Sequence, residues 1–151
     1  MHPYHFPYTY PPMGSIMTLV DDIGKAINGQ YQAIHYYGQL AKMAPDAKNR
    51  QQIMEIRDDE IQHYKTFVHL YGRLTGYYPS VTPPEKPRSY EEGLKFSIQD
   101  ELETVDFYHS IADRAHDPII RVAFRRAAFD EQQHATMFLY KWVDLIRKAD
   151  P

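Results

Sequence analysis

The sequence predicts an all-α fold, a four-helix bundle of two antiparallel helical hairpins joined by one long crossover. Three observations carry this. Apolar residues recur at helical spacing over most of the 151 residues. Two of the three connections, Pro45-Asp46 and His116-Asp117, are very short, whereas the third, Gly76 to Ser89, is long and rich in proline. The two hairpins also repeat one another, without a gap, at an offset of 71 residues. Residues 1–14 read as an extended Tyr/Pro-rich tail and residues 15–151 as one bundle domain.

The first helix is expected from about Ser15 or Thr18 to Ala44, with Ile23, Ile27, Gln30, Ile34, Tyr37 and Ala41 inward. The second runs from about Asp46, a good N-cap, to Thr75. Its inward stripe is Ile53, Ile56, Glu60, His63, Phe67 and Leu70. The third begins near Tyr90, behind the capping-box pattern of Ser89 and Glu92, and ends near Ala115. It turns Leu94, Ile98, Glu101, Val105, Tyr108 and Ala112 inward. The fourth runs from Pro118 to about Lys148, capped by Asp117, with Val122 or Phe124, Ala127, Glu131, His134, Phe138 and Trp142 inward.

Short loops make each helix pair antiparallel. A helix of about 28 residues is roughly 42 Å long, and about 14 extended residues reach roughly 46 Å. The proline-rich strap can therefore return along the whole bundle before the second hairpin starts.

The repeat places Ile27 on Ile98, Tyr37 on Tyr108, Asp46 on Asp117 and Arg50 on Arg121. Asp59-Glu60-Ile61-Gln62-His63 falls on Asp130-Glu131-Gln132-Gln133-His134, and Gln30 falls on Glu101. Two matched hairpins imply a pseudo-two-fold axis through the core, with Glu60 and His63 facing Glu131 and His134 across it. Residues at i and i+3 share a helix face, so each Glu-x-x-His sends one carboxylate and one imidazole inward. Three carboxylates (Glu60, Glu101, Glu131) and two imidazoles (His63, His134) converge, with no Lys or Arg on the same stripes. Buried carboxylates are costly unless paired or bound to metal. Two divalent cations would supply the missing charge, and oxygen and imidazole donors suit Fe or Mn and admit Zn. The plainer alternative is a buried hydrogen-bonded network with no metal.

Composition excludes other classes. The chain has no cysteine, which removes disulfides, thiolate metal sites and thiol nucleophiles. A formal net charge of −3 without a basic patch argues against a nucleic-acid partner. No apolar run has the length of a membrane span. The N-terminus does not read as a signal peptide, and a cytoplasmic location is expected.

The motifs AINGQYQAIHYY, DDEIQHY, DELETVDFY and DEQQHATMF together resemble the rubrerythrin and ferritin-like superfamily, over about residues 18–148. That resemblance implies a ferritin-like four-helix bundle whose metal site takes one Glu from each of two helices and a Glu-x-x-His from each of the others. It makes Glu60 and Glu131 bridges between two metals, with His63 on one metal and His134 with Glu101 on the other. Gln30 stands where the family has its first-helix Glu, a degenerate ligand position that weakens the metal beside His63. Thr104 stands where rubrerythrins carry a further Glu, and no cysteine-rich electron-donor module is present.

The resemblance implies a dinuclear Fe or Mn oxidoreductase, peroxidase-like or ferroxidase-like, slowed by Gln30 and served by an external electron donor. Tyr37 and Tyr108 are candidates to hydrogen-bond the ligand carboxylates or carry radicals, against ordinary packing. Asp59 and Asp130 read either as solvated helix charges or as acceptors orienting the facing histidines. His35, His69, His109 and His116 read as surface residues. The rival hypotheses are a metal-storage accessory and a non-enzymatic scaffold with one metal or none. The Tyr/Pro/His tail resembles small spore-coat proteins in composition, which favours the scaffold and a spore-associated location. A homodimer is expected, with Tyr77 and Tyr78 offering apolar contact.

Overall fold

A computed structural model of the chain describes residues 13–149. Four helices follow in order: α1 (Met13–Met43), α2 (Ala47–Thr75), α3 (Tyr90–Arg114) and α4 (Pro118–Ala149). No strand occurs among the described residues. Helix α1 takes in Met13 and Gly14, the end of the expected tail. The rest of that tail, 1–12, and residues 150–151 lie outside the described residues.

The helix ends are fixed by the side chains the sequence supplies. Asp46 accepts the Asn49 N–H at 2.8 Å and Ser89 the Glu92 N–H at 3.2 Å. Asp117 accepts the Ile119 N–H at 2.8 Å. Helix α2 stops at Gly76, whose φ of 74° is left-handed backbone that glycine adopts without steric cost. Arg121 and Arg50 do not share a role despite the repeat. Arg121 caps the end of α3 through the Ala115 carbonyl at 2.9 Å, whereas Arg50 is exposed.

Helix α1 packs along α2, and α3 along α4, while α1 also meets α3 and α2 meets α4. The strap returns across α1. Asn28 Oδ1 accepts the Thr82 N–H at 2.8 Å. One turn on, Gln32 donates to the Thr82 carbonyl at 2.8 Å and accepts the Glu85 N–H at 3.1 Å. The strap closes on buried Pro87, where α3 begins so near α1 that a Cβ on Gly93 would collide with Leu40.

The core is two apolar clusters with a polar layer between them. One is built on Ile23, Ile27, Phe67, Leu70, Ile111 and Phe124, with Phe67 and Phe124 stacked at 4.1 Å. The other is built on Leu40, Ile53, Ile56, Leu94 and Phe138. Most of the expected stripes are inward. Ile34, Ile98, Val105 and Trp142 are only half-buried, and Leu40 fills the core beside Tyr37. Of the two α4 candidates Phe124 is buried and Val122 is 56% exposed. Lys141 on α4, which lies off the expected stripe, is also buried. Its ammonium donates to Asn49 Oδ1 at 3.1 Å and to Gln52 Oε1, at the Asp46 end of α2.

Candidate metal centre

The polar layer gathers the six side chains singled out as candidate ligand positions. Gln30 comes from α1, Glu60 and His63 from α2, Glu101 from α3, and Glu131 and His134 from α4; all are buried. Each helix brings its donors to the same height because the two hairpins share one register, offset by 71 residues.

The two Glu-x-x-His pairs interlock about the pseudo-two-fold axis. Glu60 places Oε2 3.3 Å from His63 Nδ1 and Oε1 3.0 Å from His134 Nδ1. Glu131 places Oε1 3.1 Å from His63 Nδ1 and Oε2 3.8 Å from His134 Nδ1. Each carboxylate thus spans both imidazoles, one oxygen to each. The outer ring nitrogens are held crosswise: His63 Nε2 lies 2.9 Å from Asp130 Oδ2, and His134 Nε2 lies 3.1 Å from Asp59 Oδ2. A carboxylate accepts only, so each Nε2 carries a proton and Nδ1 is the nitrogen turned to the centre. Asp59 and Asp130 are therefore the orienting acceptors of the facing helix, and not merely solvated charges. His35, His69, His109 and His116 are all exposed.

The tyrosines complete the layer unequally. Tyr37 donates to Glu101 Oε1 at 2.5 Å. Its repeat partner Tyr108 instead accepts from the Gln30 amide Nε2 at 2.6 Å, and the same nitrogen reaches Glu131 Oε1 at 3.2 Å. Buried atoms without a hydrogen-bond partner include Glu60 Oε1, Glu101 Oε2, His134 Nδ1 and Gln30 Oε1. Although His134 Nδ1 and Glu60 Oε1 are 3.0 Å apart, they are not aligned for a hydrogen bond.

Burial and charge set the protonation of this layer. Burial opposes charge on His63, but hydrogen bonds with Glu131 and Glu60 overcome it and raise its pKa to about 11. His134 is raised to about 10 against the same desolvation, by the same two carboxylates. Burial also opposes charge on Glu131, yet the neighbouring Glu101, His134 and His63 hold it well below the usual carboxylate range. Glu101 is pushed well above that range by burial, then by the charges of Glu131 and Glu60. Two imidazolium charges thus face the carboxylates where metal charge would otherwise be required.

A cavity of about 70 Å³ reaches the layer from the α1–α3 side, bordered by Gly29, Ala33, Glu101 and Thr104. An outer pocket of about 320 Å³, between α1, α3 and the strap, shares Gly29, Ala33, Tyr37 and Asp100 with it. A Cβ on Gly29 would meet nothing within 4 Å, so the missing side chain leaves this side open. Asp100 stands in both linings, with a pKa raised to about 6 by burial and then by Glu131, Glu103 and Glu60. Sequence reading passed over Asp100, and its only signal was adjacency to Glu101.

The donor set fits a hard divalent cation. One oxygen or nitrogen atom from each of Glu60, Glu101, Glu131 and His134 lies within 4.8 Å of the others, in a buried group. Three of the four contribute an orphaned buried atom, and a bound cation satisfies such atoms at once.

A family model described as rubrerythrin matches residues 92–149, the span of the second hairpin. The uncharacterized protein YhjR of Bacillus subtilis (strain 168) is 43% identical over 141 residues, covering 92% of this chain and 93% of its own. Among solved structures, Desulfovibrio desulfuricans bacterioferritin superposes with a TM-score of 0.81 at 17% identity, over 94% of this chain and 88% of that one. A ferritin-like, diiron-carboxylate protein of Bacillus anthracis superposes at 0.76 and 19% identity, over 87% and 99%. At these identities the structures speak to the fold alone.

Proposed function

The chain belongs to the rubrerythrin/ferritin-like superfamily, and from that premise we propose that its polar layer binds iron or manganese and reacts with peroxide or oxygen. The observation that carries the reading is the span of Glu60 and Glu131 across both histidines, each offering one oxygen to His63 and one to His134. Bound in the reduced state, the metal would supply electrons and an open coordination position to the oxidant. The chain's own residues do the rest. Asp59 and Asp130 hold the imidazoles in the ligating tautomer, and the apolar clusters on either side keep bulk water out. Tyr37 holds Glu101 by its hydroxyl, and the open side at Gly29 admits a small oxidant. Electrons spent on the oxidant return from an external donor, since the chain has no cysteine with which to build one of the thiolate type. Gln30 makes this a slow version of the chemistry.

A second reading is favoured by the hydrogen bonds of Gln30, which tie up part of the layer without metal. It is a ferritin-like scaffold used for structure, in a spore coat or elsewhere, with one metal or none. Exposed Tyr77 and Tyr78 on the strap suit a homodimer contact under either reading. Among the described residues no helix is long and apolar enough to cross a membrane.

Anaerobic loading with Fe(II), followed by stoichiometric peroxide or oxygen, separates the two. The first reading expects ferric absorbance that forms faster than in Glu131→Ala and that dithionite reverses. Ferric formation no faster than in that variant leaves the scaffold.

A further inference from the structure

The polar layer is symmetric in its bridges and asymmetric in what fills its two ends. On the His134 side, Glu60 Oε1, Glu101 Oε2 and His134 Nδ1 are all buried and lack hydrogen-bond partners. On the His63 side Gln30 Oε1 also lacks a partner, but the atoms that would face a second metal are engaged. His63 Nδ1 pairs with Glu60 Oε2 at 3.3 Å, and Glu131 Oε1 receives the Gln30 amide at 3.2 Å. The orientation of that amide follows from charge. A carboxylate accepts and cannot donate, so Gln30 must turn Nε2 toward Glu131 and its oxygen away. The amide hydrogen then lies against the very oxygen that a metal beside His63 would need.

We infer that this centre holds one metal ion, on Glu60, Glu101, Glu131 and His134, and that the Gln30 amide closes the second position by donating to Glu131. The inference rests on the reading of the layer as a metal centre and narrows it to a mononuclear site. The charge count agrees. Two divalent cations carry four positive charges, but the layer has three carboxylates, Glu60, Glu101 and Glu131. A second cation would therefore leave the ligand carboxylates one negative charge short. The geometry agrees as well, because the buried group of four mutually close donors leaves out His63.

The test uses the metal-free full chain titrated with Zn(II), which is redox-inert, by calorimetry. Mn(II) loading followed by paramagnetic resonance gives an independent second readout. One equivalent of Zn(II) and an uncoupled six-line Mn(II) spectrum are expected. Glu101→Ala should bind at least 100-fold more weakly, and Gln30→Glu should take two equivalents and give an exchange-broadened Mn(II) signal. Thermal melts of each variant establish that it is folded. Two equivalents in the native chain would overturn the inference and leave the metal reading standing. One equivalent in folded Gln30→Glu would also overturn it, since Gln30 would then not be what closes the position. No binding by the native chain or by folded Gln30→Glu would remove the metal reading itself.

Discussion

The two hairpins bring the same Asp-Glu-x-Gln-His segment to the same height, yet the halves of the centre they build are not equivalent. In the half around His134, Tyr37 donates to Glu101, and three donor atoms are left without partners. In the half around His63, Tyr108 and Glu131 share the amide of Gln30, and His63 is paired. One amide in place of one carboxylate accounts for the difference. A carboxylate needs a donor or a cation, and its tyrosine supplies only one proton. An amide supplies its own donors to Tyr108 and Glu131 without metal, and only its own oxygen is left unpaired. The rubrerythrin family model matches the second hairpin, which carries Glu101, Glu131 and His134.

The largest test of this comparison removes what the halves share. Glu131 touches both histidines and the Gln30 amide. Glu131→Ala should abolish metal binding and leave buried imidazolium charge short of one of its two inner carboxylates, at a cost of about 3 kcal/mol in the metal-free protein. Urea unfolding of the metal-free chain checks this, and a loss under about 1 kcal/mol would mean the layer is wetter and looser than its burial implies.

Titration comes next. The folded pKa values of His63 and His134, about 11 and about 10, lie above the ordinary value of 6.5. Their contribution to stability is therefore complete below about pH 6.5 and is lost as pH rises through those folded values. Glu131 has the opposite sign: its depressed pKa contributes stability at neutral pH that is lost in acid, below the ordinary carboxylate value of 4.5. The metal-free protein should lose at least roughly 10 °C in Tm between pH 7 and pH 10. Saturating Zn(II) should reduce that slope, because a metal-bound His134 carries no proton on Nδ1. Calorimetric scans with and without metal decide it, and a flat metal-free profile would contradict the imidazolium–carboxylate account.

The smallest effect discriminates best between the halves. Asp59 holds His134 and Asp130 holds His63. Loss of such an orienting carboxylate typically weakens a metal site about 10–100-fold. Asp59→Asn should do so, whereas Asp130→Asn should leave Zn(II) affinity within about 3-fold if the metal sits on the His134 side alone. Equal losses in both variants would restore a symmetric, two-metal centre.

Much of this was legible in the chain. Helical periodicity, Asp46, Ser89 and Asp117 as caps, and the proline-rich strap after Gly76 determined four helices in two hairpins, because these are local preferences of backbone and side chain. The 71-residue repeat determined that Glu60, His63, Glu131 and His134 face one another, since matched helices in one register have no other way to bury matched polar faces. It also singled out Gln30 as the odd member.

Tertiary structure decided the rest. Asp59 and Asp130 have the sequence of surface helix charges, and only the crossing of α2 with α4 brings each to the other hairpin's histidine. Buried Lys141 follows from the amide oxygens of Asn49 and Gln52 on a neighbouring helix, which no periodicity on α4 could announce. The direction of the Gln30 amide depends on Tyr108 and Glu131, 78 and 101 residues away along the chain. Sequence sets which groups enter the core because burial follows local pattern, whereas the partner each group finds there is a matter of distances of about 3 Å between different helices, and those exist only once the helices have packed.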